Sequence, residues 1–145
     1  MSARYFLDTS VFVYCFDRQD RRKQKRAEEL VAKALGDHLA VISTQVVQEF
    51  LNVATNKFAR PMNRPESRAY LETVLSPLCE VFPTIALYRE ALSLHAETGY
   101  SFYDSLIVAA ALEARCRVLY SEDLRDGQTI RELKIVNPFG QLVGK

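Results

Sequence analysis

The sequence predicts an α/β domain, a mainly parallel sheet with helices on both faces. Three observations lead there: short apolar runs that stop at a polar residue, helix-periodic segments between them, and a length of 145 residues, which suits one core and a single domain over 1–145.

Taken in order, Tyr5-Phe6-Leu7 is a buried-strand run that stops at Asp8. From Asp20 to Leu35, Ala27, Leu30, Val31, Ala34 and Leu35 recur at helical spacing, and Gly36 is placed to end the helix. Leu39 to Ile42 is a second strand. Ser43 or Thr44 can then cap a helix with Val46, Val47, Phe50 and Val53 or Ala54 on one side and Gln45, Gln48 and Glu49 in its polar first turns. Pro61 and Pro65 punctuate the next connection, and Pro65 is placed to start a helix through Leu75. Cys79 to Phe82 is a short strand ended by Pro83. Thr84 caps a helix through Glu97 whose apolar side is Leu87, Ala91, Leu92 and Leu94, with Gly99 at its end. Ser101 precedes Phe102 to Ala114, a nearly all-round apolar helix whose early charge is Asp104; such a helix belongs at the centre of the fold. Val118 to Tyr120 is a strand ending at Ser121, and Leu133 to Val136 is the last, before Asn137-Pro138.

Composition excludes several classes. With 48% hydrophobic residues, five Gly and five Pro, the chain is neither disordered nor of low complexity. Nineteen Lys plus Arg against 18 Asp plus Glu argue against a globally basic binder. Cys15, Cys79 and Cys116 are odd in number and never form C-x-x-C, so they read as buried thiols of a reducing compartment. His38 and His95 have no Cys at ligand spacing, which argues against zinc and for surface or helix-face roles. The longest apolar run, Leu106 to Leu112, falls short of the ~20 residues a membrane span needs. No signal peptide is visible, and the expectation is a soluble cytoplasmic protein.

In a parallel sheet with right-handed crossovers, all strand C-termini share one edge, where ligands of such folds bind. Asp8 and Asp123 follow strands to that edge, while Glu49 and Asp104 sit early in helices that start there. Carboxylates gathered in a partly dry cleft raise one another's pKa, and a divalent cation relieves the repulsion. All-oxygen ligation suits Mg²⁺ or Mn²⁺, which can activate water and stabilise charge on a phosphodiester under attack. Ser10 and Ser121 are placed to orient a carboxylate or a metal-bound water. Each acid also has an ordinary explanation. Asp8 can cap a helix, Glu49 can be a solvated helix residue, Asp104 can pair with Ser101 at a helix N-terminus, and Asp123 can close a turn with Asp126 and Gly127. Those explanations do not account for all four falling on one edge.

The segments Phe6-Leu7-Asp8-Thr9-Ser10-Val11-Phe12-Val13-Tyr14, Ser101-Phe102-Tyr103-Asp104-Ser105-Leu106-Ile107-Val108-Ala109-Ala110-Ala111 and Leu119-Tyr120-Ser121-Glu122-Asp123-Leu124 resemble PIN-domain ribonucleases, in particular VapC-type toxins. The resemblance runs from Tyr5 to about Pro138, and it is the three blocks together, in order, that make it specific. It implies a three-layer α/β/α fold and a Mg²⁺- or Mn²⁺-dependent endoribonuclease in which Asp8, Glu49 and Asp104 are the acidic triad and Asp123 the fourth metal-site acid. Ser10 stands where such proteins often have Asn, and Ser121 where Thr is frequent; both keep a hydrogen-bonding side chain. The resemblance further implies a VapB-like antitoxin, a homodimer, and structured RNA such as tRNA or rRNA as substrate.

Basic residues are concentrated in two stretches. Arg18, Arg21, Arg22, Lys23, Lys25 and Arg26 stand against Asp17 and Asp20, a local balance of +4; Lys57, Arg60, Arg64 and Arg68 stand against Glu66, a balance of +3. Beside an acidic metal cleft, Arg18, Arg21, Arg22, Lys23, Arg26, Lys57 and Arg60 are candidates to hold RNA phosphates, although a charge run is more commonly a solvated helix face. Tyr14, Phe58 and Tyr103 are candidates to stack bases, against the commoner fate of such aromatics in the core. Two other functions compete with a nuclease. One is a non-catalytic RNA-binding or regulatory module of the same fold. The other is a phosphatase or receiver-type domain, which needs a second acid close to Asp8, where Thr9 and Ser10 stand.

Overall fold

The structure, a computed structural model, describes residues 3–140, so both ends of the expected 1–145 domain lie outside the described residues. Strand β1 (Tyr5–Leu7) leads into a short helix α1 (Thr9–Tyr14), then α2 (Arg21–Asp37), β2 (Ala40–Ser43) and α3 (Thr44–Asn56). Helix α4 (Arg64–Tyr70) continues through a wider π-helical turn, Leu71–Leu75, into α5 (Ser76–Leu78) and β3 (Cys79–Val81). Helices α6 (Ile85–Thr98) and α7 (Phe102–Glu113) follow, and β4 (Val118–Tyr120), β5 (Thr129–Ile130) and β6 (Leu133–Val136) complete the sheet. Its order is β3-β2-β1-β4-β6-β5, parallel throughout except for β5 against β6. This is the expected α/β/α architecture.

The central strands are apolar because both faces are covered: β1 and β2 are buried along their whole length. Helix α7 is as central as its sequence requires, with every residue from Ser105 to Ala111 buried. It packs along α6, whose buried face is Leu87, Ala91 and Leu94. Leu92, expected on that face, is 58% exposed, because one residue past Ala91 turns it about 100° around the helix. Ile85 and Phe82 are exposed beside it.

Other departures have local causes. Helix α2 passes through Gly36, and the left-handed residue that ends it is His38, at φ 61°. Gly99 does end α6 as expected, at φ 79°, and Thr84 caps the start by accepting from the Leu87 N–H. Helix α4 begins with a reciprocal capping box between Asn63 and Glu66, with Pro65 in its first turn. Strand β5 was not expected. It is joined to β6 by a two-residue turn with Arg131 and Glu132 both at positive φ, a pattern usually written Asn-Gly. Arg131 pairs there with Glu90 and Glu97 of α6. The three cysteines are free thiols; Cys116 is buried, and Cys15 and Cys79 are half-buried rather than fully so.

Phe50 of α3 is fully buried among Phe12, Phe16, Phe58 and Tyr70, stacking on the Tyr70 ring at 4.7 Å. This cluster joins α1 to α3 and α4. Phe50→Ala is expected to destabilise the fold by roughly 3–5 kcal/mol, the cost of removing a buried aromatic and leaving a cavity, as read by urea denaturation. A loss below about 1 kcal/mol would show that the cluster does not hold these helices.

Candidate active site

The adjacent ends of β1 and β4 bring the first and last acids together. Leu7 lies opposite Tyr120, and the Asp8 N–H donates to the Tyr120 carbonyl at 3.0 Å. The Asp8 side chain is 6% exposed. One carboxylate oxygen accepts from the Thr9 N–H and the other from the buried Ser121 hydroxyl, each at 2.7 Å. Ser121 in turn accepts from the Asp123 N–H at 3.2 Å, so one hydroxyl positions two of the acids. Asp8 also caps α1, so the capping role and a site role coincide in one carboxylate.

Glu49 is joined to Asp8, and the first turn of α7 to Glu49, through Thr9 and Gln45, which the sequence reading does not single out as site residues. The Thr9 hydroxyl donates to Glu49 Oε1 at 2.6 Å. Gln45 Nε2 donates to Glu49 Oε2 at 3.2 Å and to the Tyr103 carbonyl at 3.1 Å, tying α3 to the first turn of α7, where Asp104 follows. The Asp104 N–H is held by the Ser101 hydroxyl at 3.1 Å, the capping arrangement its spacing suggested. Gln45 stands one turn before Glu49 on the same helix face, so an i, i+4 reading around Glu49 finds it; Thr9 bonds Glu49 from 40 positions away, which spacing does not show.

The electrostatics are those of an uncompensated acidic cluster. Burial pushes the Asp8 carboxyl up to about 6, against the opposing pull of its bonds from Ser121 and Thr9, with Asp123 and Glu49 pushing it further. Asp123, on the exposed rim, is also raised, first by partial burial of its carboxyl and then by Asp104, Glu122 and Glu49. Among the described residues, none of the four carboxylates pairs with a Lys or Arg. Glu122 is treated oppositely: it accepts from Lys23 Nζ and from the Tyr14 hydroxyl, each at 2.6 Å.

The donor set, carboxylate oxygens with nearby hydroxyls, has the chemistry that Mg²⁺ or Mn²⁺ takes. Their mutual repulsion is the energetic reason for such a group to bind a cation. The Ser10 hydroxyl, two residues after Asp8, is buried without a hydrogen-bond partner among the described residues. The side chains are not drawn together to ligation distance, since among the described residues no three His, Cys, Asp or Glu groups already form a metal cage. The donor chemistry fits, and ligation requires the carboxylates to close in.

The basic residues divide. Arg18, Arg21 and Arg22 are exposed where α2 begins, the end that Lys23 ties to Glu122, the neighbour of Asp123 in the chain. Lys23 is committed to Glu122 and lies over the Tyr14 ring, and Arg26 donates to the Pro138 carbonyl at 3.3 Å. Lys57 and Arg60 are exposed, but Lys57 follows Glu49 by two helical turns, about 12 Å along α3. Phe58 belongs to the aromatic cluster and Tyr14 packs on Phe139, whereas Tyr103 is 66% exposed. A cavity of about 320 Å³ opens beside Gln45 and Tyr103.

A sheet of this order, with acids at its C-terminal edge, defines a domain class that the comparisons name: the PIN domain family model matches residues 5–129, and the chain belongs to that family. Among solved structures, a toxin–antitoxin complex from Klebsiella pneumoniae is similar at 20% identity and a TM-score of 0.66, covering 94% of this chain and 98% of that one. VapC20 of Mycobacterium tuberculosis, described as a sarcin-ricin loop cleaving toxin, is similar at 24% identity and 0.60, covering 82% and 89%. A DNA-bound VapBC from Salmonella typhimurium is similar at 18% identity and 0.63, covering 92% and 97%. At these identities the likeness is one of fold. The comparison with curated proteins finds no match. Among the described residues, no helix is long and apolar enough to cross a membrane.

The raised Asp8 carboxyl makes a signed prediction for the metal-free protein. With its folded value at about 6 and its unfolded value near 3.9, the native state holds this proton more tightly, so stability falls as pH rises from about 4 to about 6. Asp8→Asn is therefore expected to stabilise the protein at pH 7.5 in chelator, by on the order of 2–3 kcal/mol, with the difference closing by about pH 4. Thermal melts of both proteins across that range test it; an Asn variant less stable at pH 7.5 would contradict the electrostatic account.

Proposed function

We propose that this chain is a metal-dependent endoribonuclease of the VapC type, a single-domain toxin that cuts structured RNA, tRNA or rRNA, and so inhibits translation. The observation that carries the reading is the gathering of acids at one sheet edge: Ser121 bonds Asp8 and the Asp123 backbone, Thr9 bonds Glu49, Gln45 bonds Glu49 and the Tyr103 carbonyl next to Asp104, and among the described residues none of the four carboxylates pairs with Lys or Arg. The four carboxylates would hold Mg²⁺ or Mn²⁺, which supplies positive charge for the attacked phosphodiester and an activated water. The chain's own groups do the positioning. Ser121 and Thr9 fix the carboxylate rotamers of Asp8 and Glu49, and Ser10 offers a hydroxyl to a water or phosphate oxygen.

Arg18, Arg21 and Arg22 are best placed to take RNA phosphates, with Lys57 and Arg60 meeting a more distant part of the strand. Lys23 and Arg26 act by holding the loops they contact. The partners that go with this reading are a VapB-like antitoxin and a second copy of the chain, and the exposed Phe82, Ile85 and Leu92 support self-association. The compartment is the cytoplasm, where such RNAs lie.

Purified Asp104→Asn and Asp8→Asn proteins, folded by circular dichroism, are expected to lose RNA cleavage by at least about a hundredfold, the scale of losing a charge-stabilising group, and to lose growth inhibition on expression. Chelator should stop the unsubstituted protein, and Mg²⁺ or Mn²⁺ should restore it. Full cleavage by either variant would refute the reading, and RNA binding without metal-dependent cleavage would favour a non-catalytic module.

A further inference from the structure

We propose that the cavity beside the acids is a nucleobase pocket that receives one unstacked base of the RNA next to the bond to be cut, a specificity subsite that rests on the endoribonuclease reading. Its volume, about 320 Å³, lies at the low end of small-molecule pockets, enough for a single base and too small for a duplex. Leu106 and Ala110 of α7 form part of its apolar lining, and the rings of Tyr88 and Tyr103 are exposed at its border.

The polar side of the pocket is what identifies the ligand. Ser43 and Gln45 line it at 3% and 8% exposure, and the Ser43 hydroxyl and the Gln45 side-chain carbonyl have no hydrogen-bond partner among the described residues. Gln45 cannot exchange its amide ends, because its nitrogen is already committed to Glu49 and to the Tyr103 carbonyl. It therefore offers an acceptor in a cavity whose lining also includes the Ser43 hydroxyl, which can donate. Ser43 stands at the N-cap of α3 yet makes no side-chain cap bond, so helix capping does not account for it. A base edge carrying an N–H donor next to an acceptor satisfies both atoms at once, while its faces stack on tyrosine. An apolar peptide side chain would leave both polar atoms dry, and a small polar one would waste the aromatic walls. Position agrees with chemistry: Gln45 precedes Glu49 by one turn, which sets their Cβ atoms roughly 5–6 Å apart, so a base at Gln45 places its own phosphate near the carboxylates.

The test reads binding without cleavage, in the Asp8→Asn background, by fluorescence anisotropy with labelled twelve-nucleotide oligo(A), oligo(C) and oligo(U) and with an abasic strand of equal length. Ser43→Ala removes a hydroxyl the fold leaves unpaired, and Ala110→Leu fills the cavity. Ser43→Ala is expected to melt no lower than its parent yet bind the preferred oligonucleotide several-fold more weakly. Ala110→Leu is expected to weaken it about tenfold, and both should bind the abasic strand as the parent does. Unchanged affinity for all strands in a folded Ser43→Ala protein overturns the pocket, as does an equal loss for base-bearing and abasic strands. Weakened capture of a co-expressed antitoxin with RNA binding intact also overturns it and gives the cavity to a protein partner. If the Asp8→Asn parent binds none of these RNAs while the unsubstituted protein cuts none, it is the endoribonuclease reading that fails.

Discussion

Taking the Asp8 carboxylate out of water at the end of β1 costs free energy that the fold must offset, and the means by which it does so organise the rest of the site. The Thr9 N–H and the Ser121 hydroxyl satisfy one oxygen each. Thr9 is available because the chain turns into α1 directly after the strand, and Ser121 because β4 lies parallel beside β1 and ends at the same level. The parallel register thus does more than build a core. It delivers a hydroxyl from more than a hundred residues away to a carboxylate that would otherwise be dry, and the same hydroxyl then fixes the backbone of Asp123.

Two adjacent acids on that loop show what distinguishes a structural carboxylate from a chemical one. Glu122 has a lysine and a tyrosine hydroxyl within hydrogen-bond distance, so its charge is spent on joining α1 and α2 to the end of β4. Asp123, the next residue, has only a backbone contact and three acids pushing its carboxyl up. A fold selected for stability alone gains from pairing both. Leaving one acid unpaired among three others costs free energy that a cation would relieve, and that asymmetry, more than the count of acids, supports reading the edge as a site.

Most of the fold was legible because burial imposes patterns that survive in a single sequence. Tyr5–Leu7 and Val118–Tyr120 are short apolar runs because both faces of their strands are covered, and Phe102–Glu113 is apolar all round because it is central. What escaped were features set by tertiary context. Strand β5 is two residues long, and its turn uses Arg131 and Glu132 at positive φ, held by ion pairs to α6 rather than by turn-forming residues. Gly36 looked like a helix stop because glycine tolerates the left-handed conformation, but His38 takes it. In the site, the four acids announced themselves through their place after strands or in opening turns. Thr9 did not, since its partner Glu49 is 40 positions away, and neither did the bond from Gln45 to the Tyr103 carbonyl, 58 positions away. Nor could spacing tell that Lys23, one of six basic residues in its stretch, turns inward to an ion pair while Arg18, Arg21 and Arg22 stay exposed.

The near-neutral total charge, +1, now has a physical content. At the edge where a polyanion would approach, the unpaired carboxylates oppose the exposed arginines at the start of α2, each field being screened over about 8 Å at physiological ionic strength. On the ribonuclease reading, the acids without a cation would repel the phosphate that has to reach them, and the arginines would hold only its neighbours. A divalent cation held there would cancel two of the four carboxylate charges and set positive charge where a phosphate arrives, so the two sets of residues would oppose each other less. Cation and RNA then strengthen each other's binding, and by linkage the strengthening is equal in both directions. On the ribonuclease reading, an acidic site flanked by basic residues would therefore make RNA engagement tighter with the metal than without it, which a uniformly basic groove of the same size would not do.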